Sequence, residues 1–592
     1  MRWRGGLALL VALAVHRSAE AQVVRDTTAR RDTAALRADT VRSDTIQAPI
    51  ARNESPPLLE IGEGYRWDRQ MLFASGAVNV LGLLERIPGL TWFRSSWIAS
   101  PHSGAYLGSA ARVRVYLDGL EFVSLDPRTE SLLDLTEVPL WALEEVAVER
   151  GADELRVYLR SWHVDRTTTS TRTDVVTGDV DTNLYRGYFG KRFFNGGALQ
   201  LAGQQFGTTG NEFTGGGDQL SLLGRVGWAR GPWSLDAFAV RSRRTRDLQN
   251  QRLGDGSIPA LRAVRLDSYV RAGYGNVDDG PWAQLIAASQ SFDEESAPIA
   301  GSDEADTSRT HTQYLAAGGF TRGALRLSAT ARVHSGDIRR EADVSARATF
   351  ERGILGVSLY AERGGDSLTS SEEAQLRLTP LPWLALTGAG SRRHGGTPFG
   401  DEEVMTTRGE VGVRLWDLWL GGGGIRRDAV TVPPLRVYNP SFEPARDDGA
   451  TGGYLFARGR VWRAIHADVY ALQWDEAGPY RPRTQTRSEL FVRTNWLGRF
   501  PSGNFGFLAS FVHEYRSFTI FPTLAAGDPP EPAFDATSFS HTITTRLEIR
   551  IQDAVIFWQQ RLVPRPSAFD YVPGFVPPRR LTLYGVRWQF WN

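Results

Sequence analysis

Leu325-Arg326-Leu327-Ser328-Ala329-Thr330-Ala331-Arg332-Val333-His334 decides the fold class. Leu325, Leu327, Ala329, Ala331 and Val333 alternate with Arg326, Ser328, Thr330, Arg332 and His334, so an extended strand here has one apolar and one polar face. The same period returns where Ala342, Val344, Ala346, Ala348 and Phe350 alternate with Glu341, Asp343, Ser345, Arg347 and Thr349. It returns again where Ile543, Thr545, Leu547, Ile549 and Ile551 alternate with Thr544, Arg546, Glu548 and Arg550. A soluble sandwich also alternates, but its strands average about 5–6 residues. These runs match the ~9–11 residues of a tilted membrane strand.

Outward from this stretch, strands are expected to start near 167, 183, 197, 218, 233, 261, 282, 308, 324, 340, 354, 370, 383, 404, 418, 449, 465, 484, 503, 537, 554 and 580, twenty-two in all. Tight turns fall at Asn195-Gly196, Gly231-Pro232, Asp279-Gly280, Arg322-Gly323, Arg352-Gly353, Leu381-Pro382 and near Asp417. Longer gaps fall between them, at 208–217, 247–260, 293–307, 427–448, 517–536 and 563–579. Short turns on one side and long loops on the other predict an all-β membrane protein, a transmembrane antiparallel β-barrel integral to a bacterial outer membrane, with lipid as its surroundings. Trp233, Trp282 and Trp383 each follow the proline of a short turn, which predicts an aromatic girdle at the periplasmic interface. Arg326, Arg332, Asp343, Arg347, Arg414, Glu489, Arg493, Arg546, Glu548, Arg550 and Arg587 should then face the lumen. Ion pairing with a domain inside the barrel is the favoured role for them; lining a substrate path is the alternative.

The 592 residues include no cysteine, which excludes disulfides, cysteine-ligated metals and thiol nucleophiles. Net charge is +1, without a nucleic-acid footprint. Lys191 is the one lysine among 68 basic residues, read as coding bias. Beyond the N-terminus no apolar run approaches the ~18–20 residues of a membrane helix. The nine histidines show no metal-ligand spacing, and no nucleophile–base constellation appears, so neither a cofactor nor an enzyme activity is expected. The glycine run Gly421–Gly424 is expected to mark a close approach of the inner domain to the wall. The loop holding Asp293, Glu294, Glu295, Asp303, Glu304 and Asp306 reads as a solvated acidic loop, with a calcium site as the lesser alternative. Three loops rich in proline and aromatics hold Tyr438 and Phe442, then Phe518 and Phe521, then Phe569, Tyr571 and Phe575. They are candidate ligand contacts, with packing on one another as a lid the equal alternative.

The N-terminal end reads in three parts. Residues 1–21 form a secretory signal peptide: Arg2 and Arg4, an apolar stretch from Gly6 to Val15, then Ala19-Glu20-Ala21. Residues 22–55 form a disordered periplasmic tether that repeats Asp-Thr pairs. Within it Asp39, Thr40 and Val41, and Asp44, Thr45 and Ile46, are candidate docking strands for a periplasmic partner. Residues 56–164 form a small α+β domain ahead of the barrel at 165–592. Its expected elements are a helix over Asn79–Ile87 stopped by Pro88-Gly89, a strand Arg112–Leu117 running into the Asp118-Gly119 turn, a short helix from Pro139 to Glu145, and a strand Val146–Gly151.

Leu84 to Leu90, Val115 to Gly119, and Val138-Pro139 through Glu145-Val146 to Arg150-Gly151 together resemble the plug domain of TonB-dependent outer-membrane receptors. Pro88, Gly89, Asp118, Gly119, Pro139, Arg150 and Gly151 carry the match, in the family's order and spacing. The segment after Arg150-Gly151 departs from the family pattern and shortens the plug. The resemblance implies import of a scarce small solute, of the siderophore, cofactor or oligomer class, with a TonB-type energy transducer docking on the tether. A passive or structural barrel with a permanently seated plug is the alternative. Tyr584, Val586, Trp588 and Phe590, on one face of the last strand, resemble the terminal signal read by the barrel assembly machinery.

Overall fold

The structure is a computed structural model that describes residues 53, 55–57 and 59–591, apart from 97–98, 130–131, 211–214, 253–255, 296–306, 339–340, 366–368, 398, 496–503, 526–530 and 565–569. The signal peptide, the docking residues Asp39, Thr40, Val41, Asp44, Thr45 and Ile46, the tip of the acidic loop and Phe569 lie outside the described residues.

Twenty-two strands, from Ser170–Gly178 to Arg580–Trp591, form a closed antiparallel barrel. The last strand pairs with the first, from Leu583 opposite Gly178 to Trp591 opposite Ser170, so no edge is left open. Every strand begins within four residues of its expected position; the widest difference is Gly400–Leu415, expected near 404. The alternation that predicts the strands also sorts their faces. On Leu325–Gly336, Leu325, Leu327 and Val333 are exposed on the outer wall, while Arg332 and His334 are buried inside. Leu222, Leu285 and Leu455 are likewise more than half exposed, an outer surface suited to hydrocarbon and not to water.

Short turns close one end of the barrel. Gly323 and Gly353 supply the left-handed backbone there, at φ of +59° and +56°. At the other end the connections are long, and three carry their own hairpins: Gln249–Asn250 with Ser257–Ile258, Val430–Val432 with Ala445–Asp447, and Ile520–Ala525 with Glu531–Ala536.

Inside the barrel sits the domain that precedes it. Its five-stranded sheet runs Arg66–Asp68, Leu143–Arg150, Leu155–Ser161, Val113–Leu117, Leu120–Glu121. Leu155–Ser161 is parallel to Val113–Leu117 and antiparallel to Leu143–Arg150. Helix Arg69–Ser75 begins at Asp68, whose carboxylate accepts from the Met71 N–H at 2.8 Å, and ends at left-handed Gly76. A hairpin of Leu90–Arg94 and His102–Tyr106 points toward the long loops.

Four expectations need correction. The helix over Asn79–Ile87 is reduced to Leu81–Leu84, extended to Ile87 only by turn hydrogen bonds. Pro139 opens a single 3-10 turn, Leu140–Ala142, not a helix to Glu145; the chain is already a strand from Leu143, because pairing with Leu155–Ser161 supplies the backbone partners a further turn would need. Trp233 and Trp383 are half-exposed on the wall, but Trp282 is 6% exposed and faces the lumen over Gly319. Its strand starts at Asp279, so parity places Trp282 with inward Gln284 and Ile286. The glycines Gly421 and Gly423 are covered by Phe456 and Tyr454 of the next wall strand, not by the inner domain; that domain meets glycine at Gly356, under Leu59, and at Gly412, under Ile61.

Candidate functional site

Buried ion pairs link the inner domain to the wall, beside an apolar core the two share. Its strand Leu143–Arg150 ends in Glu149 and Arg150, 3% exposed each. Arg347 of the wall grips Glu149 through two parallel hydrogen bonds of 2.8 Å. Arg150 bonds Glu60 at 2.8 Å and also Glu410 of the wall, while Arg408 donates to the Arg150 carbonyl at 2.7 Å. Gly151 fits because a side chain there would collide with Glu373. Arg156, 1% exposed, reaches Glu154 at 2.8 Å and Glu373 of the wall at 3.2 Å. Arg114 forks onto Glu362 at 2.7 and 2.8 Å, and Arg393 spans Asp153 and Glu154 at 2.9 Å. Burial raises the Glu60 carboxyl, but Arg150 and Arg408 outweigh it and bring it down to about 2. Glu149 is held at about 2 in the same way, burial being outweighed by Arg347 and Arg156.

Asp118 and Gly119 form the turn predicted for them, both at positive φ. Asp118 accepts from the Ser161 N–H at 3.1 Å and from the Tyr269 hydroxyl at 2.7 Å, and Arg225 lies 3.8 Å away. Pro88-Gly89 terminates its helical turns with Gly89 at φ +88°, against Leu107. Of the lumen charges expected from alternation, Arg347 and Glu489 pair with this domain and Arg332, Asp343, Arg546, Glu548 and Arg587 are buried inside. Arg414, Arg493 and Arg550 keep the inward parity of Gly412, Glu489 and Glu548 but lie at their strands' ends and are exposed there.

At the looped end the aromatic residues close over the hairpin. Tyr438, Phe442, Phe521 and Phe575 are all 0% exposed and share one core with Phe93 and Ala105 of the hairpin. The Tyr438 hydroxyl reaches Ser103 at 2.9 Å, and Phe93 meets Phe521 edge-on at 5.5 Å. These loops therefore form a lid, and Phe518, 46% exposed, is the one candidate contact described at the surface. Tyr571 lies deeper, tilted at 50° against Trp92 with ring centroids 4.0 Å apart. Arg94, Arg516 and Arg561 surround that pair at 4.7–5.6 Å. Glu85 and Glu514 are the acidic groups beside it. Apart from Tyr571, no sequence signal pointed to this nest, because Trp92 and Arg94 lie more than 400 residues from Arg516 and Tyr571.

At the chain end Tyr584, Val586, Trp588 and Phe590 share the outer face of the last strand, opposite buried Arg587, as expected.

No family model matches the chain, and no curated protein matches it. Solved structures do. The FrpB iron transporter from Neisseria meningitidis aligns at a TM-score of 0.67 with 10% identity over 89% of this chain and 99% of its own. The siderophore receptor PirA from Acinetobacter baumannii gives 0.66 and 10%, over 89% and 98%. A mutant ferric enterobactin receptor, PfeA, from Pseudomonas aeruginosa gives 0.65 and 12%, over 89% and 98%. The chain has the plug-in-barrel fold of TonB-dependent outer-membrane receptors.

Proposed function

We propose that this chain is an energised outer-membrane importer of a scarce solute of the iron-chelate class. The observation that carries the reading is the plug itself, a folded domain seated by buried ion pairs inside a closed barrel of twenty-two strands. Barrels of this size enclose a lumen wide enough for transport once the plug yields. The likeness to an iron transporter and to siderophore receptors supports the solute class. So does the nest of Arg94, Arg516 and Arg561 around Trp92 and Tyr571, which suits an anionic, aromatic chelate. Solute meets Phe518 and the other loop aromatics as the lid opens. The tether, through Asp39–Val41 or Asp44–Ile46, is drawn by a TonB-type transducer, and the plug rearranges. The chain supplies binding and gating, not covalent chemistry, and its aromatic last strand is read by the assembly machinery.

The test is deletion of residues 23–50, alongside Val41→Pro and Ile46→Pro, which each remove a backbone donor from a docking strand. Uptake and growth on limiting iron chelate should be lost while the barrel still assembles. Unchanged growth with normal insertion refutes the energised importer and leaves a passive barrel with a seated plug.

A further inference from the structure

Three wall strands and one plug strand bring together side chains that lie far apart in sequence. Register places Arg332 opposite Asp343, and His334 opposite Gln313, one diagonal step from His311. His334 Nε2 is 2.7 Å from Asp343 Oδ2, and its Nδ1 is 3.2 Å from His311 Nε2, the two rings stacked at 5.3 Å. Glu121, on the plug strand Leu120–Glu121, completes the group: one donor atom each from Glu121, His334 and Asp343 lies within 4.8 Å of the others. His311, His334 and Asp343 are 0%, 3% and 1% exposed. Arg332 takes Asp343 Oδ1 at 3.0 Å, and Arg114 takes Glu121 Oε1 at 3.1 Å while also holding Glu362.

We propose that Glu121, Asp343 and His334 Nε2 form a binding site for a divalent first-row transition metal. One imidazole nitrogen with two carboxylate oxygens, gathered within 4.8 Å of one another, is a donor set that suits zinc, iron or manganese. His311 is the positioning residue: accepting the His334 Nδ1–H at its Nε2 fixes the tautomer that leaves the His334 Nε2 lone pair toward the carboxylates. Because Glu121 belongs to the plug and the other ligands to the wall, a bound ion ties one to the other. This site stands apart from the transport reading, since its test is binding to purified protein and not uptake.

The full chain, purified in detergent and stripped with chelator, is titrated with Zn²⁺ by calorimetry, and desalted samples are assayed for metal. A single high-affinity Zn²⁺ per chain is expected, with no comparable Ca²⁺ binding. His311→Gln should lower zinc affinity about tenfold, the low end of the range for a supporting partner, and His334→Gln, which removes a ligand, should cost more, about a hundredfold. His513→Gln, altering the separate imidazole pair of His513 and His541 at 6.0 Å, should change nothing. Wild-type protein that retains no zinc overturns the proposal, as does His334→Gln protein that binds zinc like wild type. If His334→Gln fails to give the heat-modifiable folded barrel, Glu121→Gln carries the same test: about a tenfold loss supports the site, and undiminished affinity overturns it.

Discussion

Arg150 is the residue whose loss should unseat the plug without harming the wall. Its guanidinium is buried at the interface, bonded to Glu60 of the plug and to Glu410 of the wall. Arg150→Ala leaves both carboxylates in place and out of water. Removing one partner of a buried ion pair costs ~3–5 kcal/mol. Here the lower end applies, because Arg408 stays 3.5 Å from Glu60 and 3.1 Å from Glu410. A loss of about 3 kcal/mol raises the population of unseated plug by roughly a hundredfold, at 1.4 kcal/mol per tenfold. The absence of cysteine makes the assay clean. Ala147→Cys places a single thiol on the plug strand Leu143–Arg150 at a position 1% exposed. Its maleimide labelling rate in detergent-purified barrel reports how often the plug leaves. Arg150→Ala should speed labelling by about two orders of magnitude while the barrel keeps its heat-modifiable migration. Arg150→Met with Glu410→Leu should restore much of the protection, since an apolar pair replaces the charged one. A labelling rate unchanged by Arg150→Ala would refute the view that these ion pairs seat the plug.

The wall and the seat each give a further test. Leu285, 64% exposed near the middle of Asp279–Glu294, should tolerate arginine badly, at ~2–4 kcal/mol, whereas Trp233→Arg beside its turn should cost only ~0–1 kcal/mol; refolding titrations into lipid vesicles measure both, and equal costs would contradict the assigned depth. Glu60 and Glu149 are both depressed to about 2, so the stability they contribute is complete above their unfolded value near 4.5 and is lost as pH falls toward 2. Hydrogen-exchange protection of the plug, corrected for the intrinsic exchange rate, should therefore fall as pH drops from about 4.5 toward 2 while protection of the barrel strands persists.

The barrel was legible because lipid outside and a polar filling inside impose a strict period of two on every strand. That pattern survives in any single stretch, such as Leu325 to Val333, and it needs no knowledge of partners. The turn rule failed where parity would have succeeded: Trp282 was placed with the outer girdle because it follows the proline of a short turn, but it alternates with the inward Gln284 and Ile286. Contacts between strands were not legible. Arg156 meets Glu373 and Arg347 meets Glu149 across separations of 217 and 198 residues, and His311 finds His334 only through register. The loop aromatics could be named but not placed: proline and aromatic content suits a ligand surface and a packed lid equally, and only the hairpin beneath Phe93 decides for the lid.

The polarity of the seat also bears on how a plug so well bonded could move. Truncating one partner strands the other as a buried charge, which is why Arg150→Ala is costly. Withdrawal of the whole plug strands nothing: water enters the lumen, and Arg347, Glu373 and Glu410 are hydrated together with the plug groups they release. The work of separation is then the net worth of each pair against two hydrated ions, which is small, because the Coulomb gain of pairing is largely cancelled by desolvation. An apolar interface of the same area has no such cancellation and resists parting at ~25 cal/mol per Å². The greater resistance should come from the apolar contacts, Trp162 against Gly190 and Ile61 against Gly412, and from the lid core around Phe93, Tyr438 and Phe521. Ion pairs thus fix where the plug sits, and the apolar core it shares with the wall sets how hard it must be pulled.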